Sequence, residues 1–383
     1  MHIAFLSNEY PPLPSGGIGT SVQTLARALV AAGRRVTVLG WGRAAVFEDR
    51  GVTVRFLGVT GVPKLGWLLN RQRLQAELNR MVREEALAIV EAPDWCGPAA
   101  GLRLACPLVI RCHGSATYFA DLLGTPVRPT VRWAEGQALR AAAGVVAVSR
   151  FTAERTQRLF RLRQPVGCIP NGIDLAHFAP VAAATEPDTI LYFGTLVRKK
   201  GVLDLPAILR AVLVAHPRAR LRIIGRDAPD RQSGAASTWA LLRAGLSLAE
   251  ADRVEYTGPQ PYPQMQAAIA QAAVCLFPSY AEALPLAWLE AMACAKPLVA
   301  YDMGWAGEII VPQETGYLVP AGDTAACAAA LVGLLADPAA GARLGAAGRA
   351  RVVAQFAAPQ VAQQTLDWYT AVISAQQQTA GKA

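Results

Sequence analysis

A chain of 383 residues in which 53% of side chains are apolar is too long for one ordinary core and rich enough to build two. Its net charge of +9 is one-sided: residues 1–170 carry 21 Lys/Arg against 11 Asp/Glu, and the remainder carries 16 against 17. A basic first half calls for an anionic partner, and the absence of any helix-turn-helix, zinc-finger or RNA-binding pattern argues against nucleic acid.

Short β-branched runs alternate with longer helical periods through the first half. Strands are expected at His2–Ser7, Arg35–Gly40, Val52–Leu57, Leu87–Glu91, Leu108–Cys112 and Val145–Ser149. Helices are expected at Thr20–Ala32, Trp67–Glu85, Val131–Ala143 and Arg150–Phe160. The second half repeats the scheme, with strands at Thr189–Gly194, Leu221–Gly225, Val254–Thr257, Val274–Phe277 and Leu298–Tyr301. Its helices fall at Val202–Val214, Ser237–Ala244, Tyr262–Ala272, Pro285–Ala295 and Trp305–Val311. Such alternation predicts an α/β protein with two Rossmann-like, doubly wound parallel sheets facing a cleft, joined by the Pro/Gly-containing stretch Asn171–Asp188. An Ala-rich tail, Thr324–Leu335 and Ala339–Gln355, precedes a break at Pro359 and a last helix through Trp368 and Tyr369.

No apolar run approaches the ~18 residues of a membrane span, and the start MHIAFLSNEYPP reads as a strand rather than a cleavable signal. The protein is therefore expected in the cytoplasm. Seven scattered cysteines without C-x-x-C imply neither a disulfide framework nor a zinc site.

Several stretches carry chemistry. After the first strand, PPLPSGGIGTS lets the backbone approach a ligand at Gly16, Gly17 and Gly19, with Thr20 or Ser21 as the cap of the following helix. The spacing is neither G-x-G-x-x-G nor a P-loop. His113 ends the strand of LVIRCHGS, where crevice residues of α/β sheets lie. LYFGTLVRKKGV sets Arg198, Lys199 and Lys200 in a turn after a strand, well placed to neutralise a leaving diphosphate. PSYAEALPLAWLEAMACAKPLVA, at 278–300, holds Glu282 in a loop and Glu290 eight residues later in a helix whose first residue is expected to be Pro285. On that helix Leu286, Leu289, Glu290 and Ala293 share a face. Free N–H groups at the helix start would receive an anion, and the two carboxylates would accept from hydroxyls, as a sugar nucleotide requires.

The Glu, seven residues, Glu of this EAM helix, followed by KPLVA and by GYLVPAGD, resembles the donor signature of the retaining family 4 glycosyltransferases of GT-B fold. PNGIDLAHF at 170–178 resembles that family's interdomain segment, and the resemblance runs in matching order from Gly17 to Asp323. It implies catalytic roles for His113, Lys200 and Glu282. It implies donor contacts at Gly17, Ile18, Asn171, Arg198, Lys200, Gly225, Arg226, Ala283, Leu284, Leu286 and Glu290, with Glu282 on the sugar and Glu290 on the ribose. It also implies an acceptor domain 1–172 completed by the helix 357–375, and a donor domain 173–356.

Two departures stand out: Thr195 occupies the place of an Arg in the family's Gly-Arg-Leu…Lys-Gly pattern, where Arg198 would substitute, and Pro285 the place of a Gly. The implied reaction moves a hexosyl group from a UDP- or GDP-hexose to a glycan, lipid-linked or small-molecule acceptor, with no cofactor and no metal, since no D-x-D pair is present. The alternatives are a non-catalytic sugar-nucleotide-binding subunit of polysaccharide assembly, or another sugar-nucleotide enzyme such as an epimerase. Trp67–Glu85 has an apolar stripe at Leu74, Leu78, Met81 and Val82, and its Arg71, Arg73, Arg80 and Arg83 are expected to meet anionic lipid at the inner face of the membrane.

Overall fold

The structure, a computed structural model, describes residues 1–13, 15–59, 61, 66–181 and 184–380, without the side chains of residues 67, 379 and 380. Pro14 of the glycine-rich loop, residues 182–183 of the expected linker and the Trp67 side chain lie outside that description. Two compact units emerge: Met1–Gly172 together with the C-terminal segment from Ala358, and Ile173–Ala357.

The first unit is built on one sheet of strands β1 His2–Leu6, β2 Arg35–Gly42, β3 Ala45–Asp49, β4 Val52–Gly58, β5 Leu87–Pro93, β6 Leu108–Cys112, β7 Gly144–Ala147 and β8 Gly167–Cys168. Their order is β3-β4-β2-β1-β5-β6-β7-β8. Every pairing is parallel except the β3–β4 hairpin at the edge. HIAFL of β1 and LVIRC of β6 are buried throughout, as central strands of a sheet covered on both faces must be. Strand β3 went unpredicted because AVFED is half polar and half exposed. Its hairpin signal was nonetheless present: Arg50 and Gly51 both take positive φ, the two-residue turn that matches strand twist.

The second unit has β9 Thr189–Phe193, β10 Arg220–Ile224, β11 Val254–Gly258, β12 Val274–Phe277, β13 Leu298–Asp302 and β14 Tyr317–Pro320, all parallel, in the order β11-β10-β9-β12-β13-β14. In each sheet the strand order reverses at one place, between β1 and β5 and between β9 and β12. Loops leaving the carboxyl ends of strands there diverge to opposite faces and leave a crevice for ligand.

The last helix, Ala358–Ala380, packs on the first unit against the helix Gly17–Ala31. The tail does break before this helix, at 356–357, and Pro359 sits in the first turn that follows, where a missing N–H costs nothing. A buried polar cluster fixes the helix: Arg111 Nε donates to Glu91 at 2.8 Å and Arg111 Nη2 to Thr365 at 3.1 Å, while the Tyr369 hydroxyl donates to the other Glu91 oxygen at 2.7 Å. Tyr369 is fully buried and Trp368 packs beside Gly144.

The helix Gly66–Glu85 turns Leu74, Leu78 and Met81 into the core. Of its four arginines, Arg73 and Arg83 are exposed and the other two are engaged. Arg71 is buried, and Arg80 is held by Glu77, Glu84 and Glu85 at 2.7–2.8 Å.

Candidate active site

In the second unit, the loops after β9 and β12 are locked together. Gly201 has φ of +66°, and a Cβ there would lie 1.7 Å from the Pro278 carbonyl oxygen, so only glycine lets the two loops meet. Tyr280 and Ala281 N–H groups donate to the Lys199 carbonyl at 2.8 and 3.2 Å. This brings the Lys200 ammonium to 3.2 Å from Glu282 Oε1. Burial alone would raise the Glu282 carboxyl, but Lys200 and Lys199 outweigh it and hold it below the usual glutamate value. Lys199 is itself held low, by burial and by Lys200, with Glu282 opposing. At neutral pH Glu282 is thus an ionised acceptor beside a cation.

Four residues on from Glu282 the helix Leu286–Ala293 begins. Pro285 is its N-cap with an extended ψ of 117°, rather than its first helical residue, and the Pro285 side chain makes no capping hydrogen bond to the first turn. That start is left for an anion. The helix is buried nearly all round, including Glu290, which is 7% exposed. The Tyr262 hydroxyl donates to Glu290 Oε1 at 3.1 Å. Burial pushes Glu290 up to about 7, against the pull of Tyr262 and Lys200 towards the ionised form. Ala283 and Leu284 are buried between the two glutamates in sequence, and Leu286 is half-buried.

Gly225 follows β10, and a Cβ there would lie 1.9 Å from the Gly194 carbonyl oxygen, so the β9 and β10 loops also touch backbone to backbone. Arg226 follows, exposed. Arg198 does not join Lys200. Its guanidinium makes a bidentate pair with buried Asp230, at 3.1 and 2.7 Å, which holds the Asp230 carboxyl far below its usual range. The guanidinium points to that acid because Ser233 completes the same carboxylate's hydrogen bonds, making it a preformed acceptor. Arg198 is thus paired with Asp230 in this structure, whereas the resemblance implied it in place of the arginine missing at Thr195.

In the first unit, Glu9 after β1 accepts the Gly16 N–H at 2.8 Å, and the helix starts at Gly17, with Gly16 as its cap, three residues earlier than expected. Thr20 and Ser21 do not cap it: Thr20 donates back to the Gly16 carbonyl at 3.2 Å, and Ser21 donates to Asn171 Oδ1 at 2.7 Å. Gly17 is exposed, with no atom of the described residues within 4 Å of the place of a Cβ, and Ile18 packs on the core.

His113 follows β6, and its backbone N–H donates to Asp94 Oδ1, at the end of β5, at 2.9 Å. Burial, and then the neighbouring Arg111, push the His113 imidazole down to about 3, so it is neutral at physiological pH. Asp94 was not anticipated, although D in EAPDWC directly follows β5 at the reversal of strand order. It is fully buried, its Oδ2 has no partner among the described residues, and burial pushes it up to about 7, with Glu135 adding to the rise and the His113 N–H opposing it. Tyr262 was also missed, since only the fold brings it to Glu290. Among the described residues, no group of three His, Cys, Asp or Glu side chains is placed to hold a metal ion.

Two doubly wound parallel-sheet units, one carrying a lysine–glutamate pair at its strand reversal, have the architecture of the GT-B fold. Residues 15–177 match the model of Glycosyltransferase Family 4 and residues 187–337 that of Glycosyl transferases group 1. The chain belongs to this family of glycosyltransferases. It is 29% identical to glycogen synthase of Mycobacterium tuberculosis over 97% of this chain and 95% of that one. Its fold matches sucrose-phosphate synthase from Thermosynechococcus elongatus with a TM-score of 0.80 and 24% identity, covering 98% and all of the two chains. Anabaena HepE in complex with UDP-glucose matches with a TM-score of 0.74 and 18% identity, covering 97% and all.

Proposed function

We propose that this enzyme moves a hexosyl group from a nucleoside-diphosphate hexose to a hydroxyl of a glycan, lipid-linked or small-molecule acceptor, with retention of configuration and without a metal. The observation that carries this reading is Lys200 at 3.2 Å from an ionised Glu282, beside a helix start whose N-cap Pro285 offers no capping side chain and ahead of the buried acid Glu290. The ammonium and the first-turn N–H groups suit a diphosphate, Glu282 suits the sugar hydroxyls, and Glu290 with Tyr262 suits the ribose. HepE, of the same fold, was captured with UDP-glucose, which supports a uridine donor.

In the step itself, the bond from the anomeric carbon to the β-phosphate oxygen breaks and the electron pair leaves with the phosphate, whose charge Lys200 and the helix dipole stabilise. The acceptor hydroxyl forms the new bond on the same face, and its proton passes to the departing phosphate oxygen. No protein base is needed. In the first unit, the neutral His113 and the nearby Asp94, whose carboxyl titrates near neutrality, are a pair suited to hydroxyl-rich ligands.

A thermal-shift panel of UDP, GDP, ADP and their hexoses, followed by a coupled assay for released nucleoside diphosphate and NMR of the new anomeric centre, tests the reading. An inverted product, or turnover abolished by chelation and restored by a divalent ion, would contradict it.

A further inference from the structure

Half of the basic surplus of residues 1–170 falls between residues 121 and 163, where eight arginines stand against Asp121, Glu135 and Glu154. Glu135 is buried and committed to the N–H groups of Cys96, Ala116 and Thr117. Asp121 engages Arg155 at 2.6 Å, and Glu154 reaches Arg158 only at 3.9 Å across solvent. Arg128, Arg132, Arg161 and Arg163 are exposed and have no acidic partner among the described residues.

These side chains stand on and beside the helices Pro129–Ala141 and Arg150–Phe160. Two adjoining open depressions, about 420 and 370 Å³, share Arg132, Leu159 and Arg161 as walls. Arg158 lines the first, and Trp133 the second. Trp133 is 57% exposed, an unusual place for the largest apolar side chain, and Leu123 nearby in sequence is 39% exposed.

We propose that this face docks the enzyme on an anionic membrane, the guanidinium groups on lipid phosphates and Trp133 in the interfacial layer. Unpaired cations around an exposed indole match what such a bilayer offers, a negative surface over an apolar boundary. A soluble phosphate would occupy the arginines and leave Trp133 in water. A single-stranded nucleic acid would call for several stacking rings along a groove, and only one exposed ring lines these two depressions. On the helix Gly66–Glu85, Arg71 is buried and Arg80 is spent on three glutamates, which leaves fewer cations for such a surface than the face of Pro129–Ala141 and Arg150–Phe160 offers. The proposal does not depend on the hexosyl-transfer reading, because vesicle binding is measured without donor or turnover.

The test is co-sedimentation with vesicles of phosphatidylcholine alone and of phosphatidylcholine with phosphatidylglycerol, at low and high salt. The wild-type chain should pellet only with the anionic vesicles, and salt should release it. Replacing Arg132, Arg158 and Arg161 by Gln should weaken binding on the order of a hundredfold, at about fivefold per cation, whereas Lys at the same three positions should retain it. Trp133→Ser should weaken binding that remains at high salt. An unchanged thermal midpoint for each variant shows that these exposed positions do not disturb folding. Arg73→Gln with Arg83→Gln, on the Gly66–Glu85 helix, should leave binding unchanged. Equal recovery with neutral and anionic vesicles, loss in the Arg73/Arg83 variant instead, or binding to single-stranded nucleic acid in preference to the vesicles would each overturn the proposal.

Discussion

Replacing Glu290 by Gln should move stability and ligand binding in opposite directions. The folded carboxyl titrates at about 7, above the ordinary glutamate value of 4.5, because burial penalises its charge. The unfolded chain therefore ionises first as pH rises. The stability this group contributes is present below about 4.5 and is lost as pH climbs through about 7. A shift of that size corresponds to roughly 3 kcal/mol by about pH 8. Gln keeps the shape and a carbonyl acceptor for Tyr262 but cannot ionise, so the variant should gain up to that much stability over wild type on going from about pH 5 to about pH 8. Binding should respond the other way. A charged acceptor for ribose hydroxyls is worth about 1.5–3 kcal/mol, so nucleoside diphosphate affinity should fall by ten- to a hundredfold or so. Wild-type affinity should rise through neutrality more steeply than the variant's, which serves as the baseline for titration of the phosphate. Isothermal calorimetry and thermal melts across that pH range measure both. Unchanged affinity together with parallel stability profiles would remove Glu290 from the nucleotide site and leave it a buried structural acid.

Lys200→Ala should reduce turnover by about a hundredfold or more, the usual scale for a lost charge stabiliser at a leaving group, with Lys200→Arg intermediate, in the coupled nucleoside diphosphate assay. Arg198→Ala should instead cost about 1–2 kcal/mol of stability, since it strands Asp230 but removes a guanidinium largely screened by water; a turnover loss as large as that of Lys200→Ala would reverse the assignment. His113→Gln should leave the shape of the pH–rate profile unchanged, because His113 is already neutral across the working range. Any inflection near 7 should disappear in Glu290→Gln or Asp94→Asn, and its survival in both would implicate another group. Tyr369→Phe should lower stability by about 1–3 kcal/mol through the half-satisfied Glu91 carboxylate, measured by urea denaturation.

What the sequence made legible was the part carried by period and punctuation. Apolar runs such as LVI at 108–110 and VCLF at 274–277 located the central strands, and the EALPLAWLEAM stretch located a loop acid and a helix acid eight residues apart. Illegible were features set by partners far along the chain. Arg198 reads as one of three adjacent cations, and only the approach of Asp230, 32 residues on, shows it to be committed elsewhere. The Gly66–Glu85 helix reads as cationic until Glu77, Glu84 and Glu85 are seen to fold onto Arg80. The edges of the sheets failed for another reason. Strands β3, β8 and β14 are short or partly exposed, so their side chains lack the apolar continuity that marks a covered strand. Asp94 was missed because a single acid after a strand has no spacing partner in the sequence; its significance comes from the neighbouring β6 loop.

The buried cluster of Arg111, Glu91, Thr365 and Tyr369 ties together residues as far as 278 positions apart. During synthesis the eight strands of the first sheet leave the ribosome before any of the second unit, yet the charged pair at their centre must wait for two hydroxyls that are translated only after the whole second unit. The second unit has all of its strands well before then and can mature alone. The half of the enzyme that is made first is thus the half completed last. A prematurely terminated chain then exposes its defect in the first sheet, as an ion pair open to water and an uncovered apolar flank at the Gly17–Ala31 helix, where chaperones and proteases can find it.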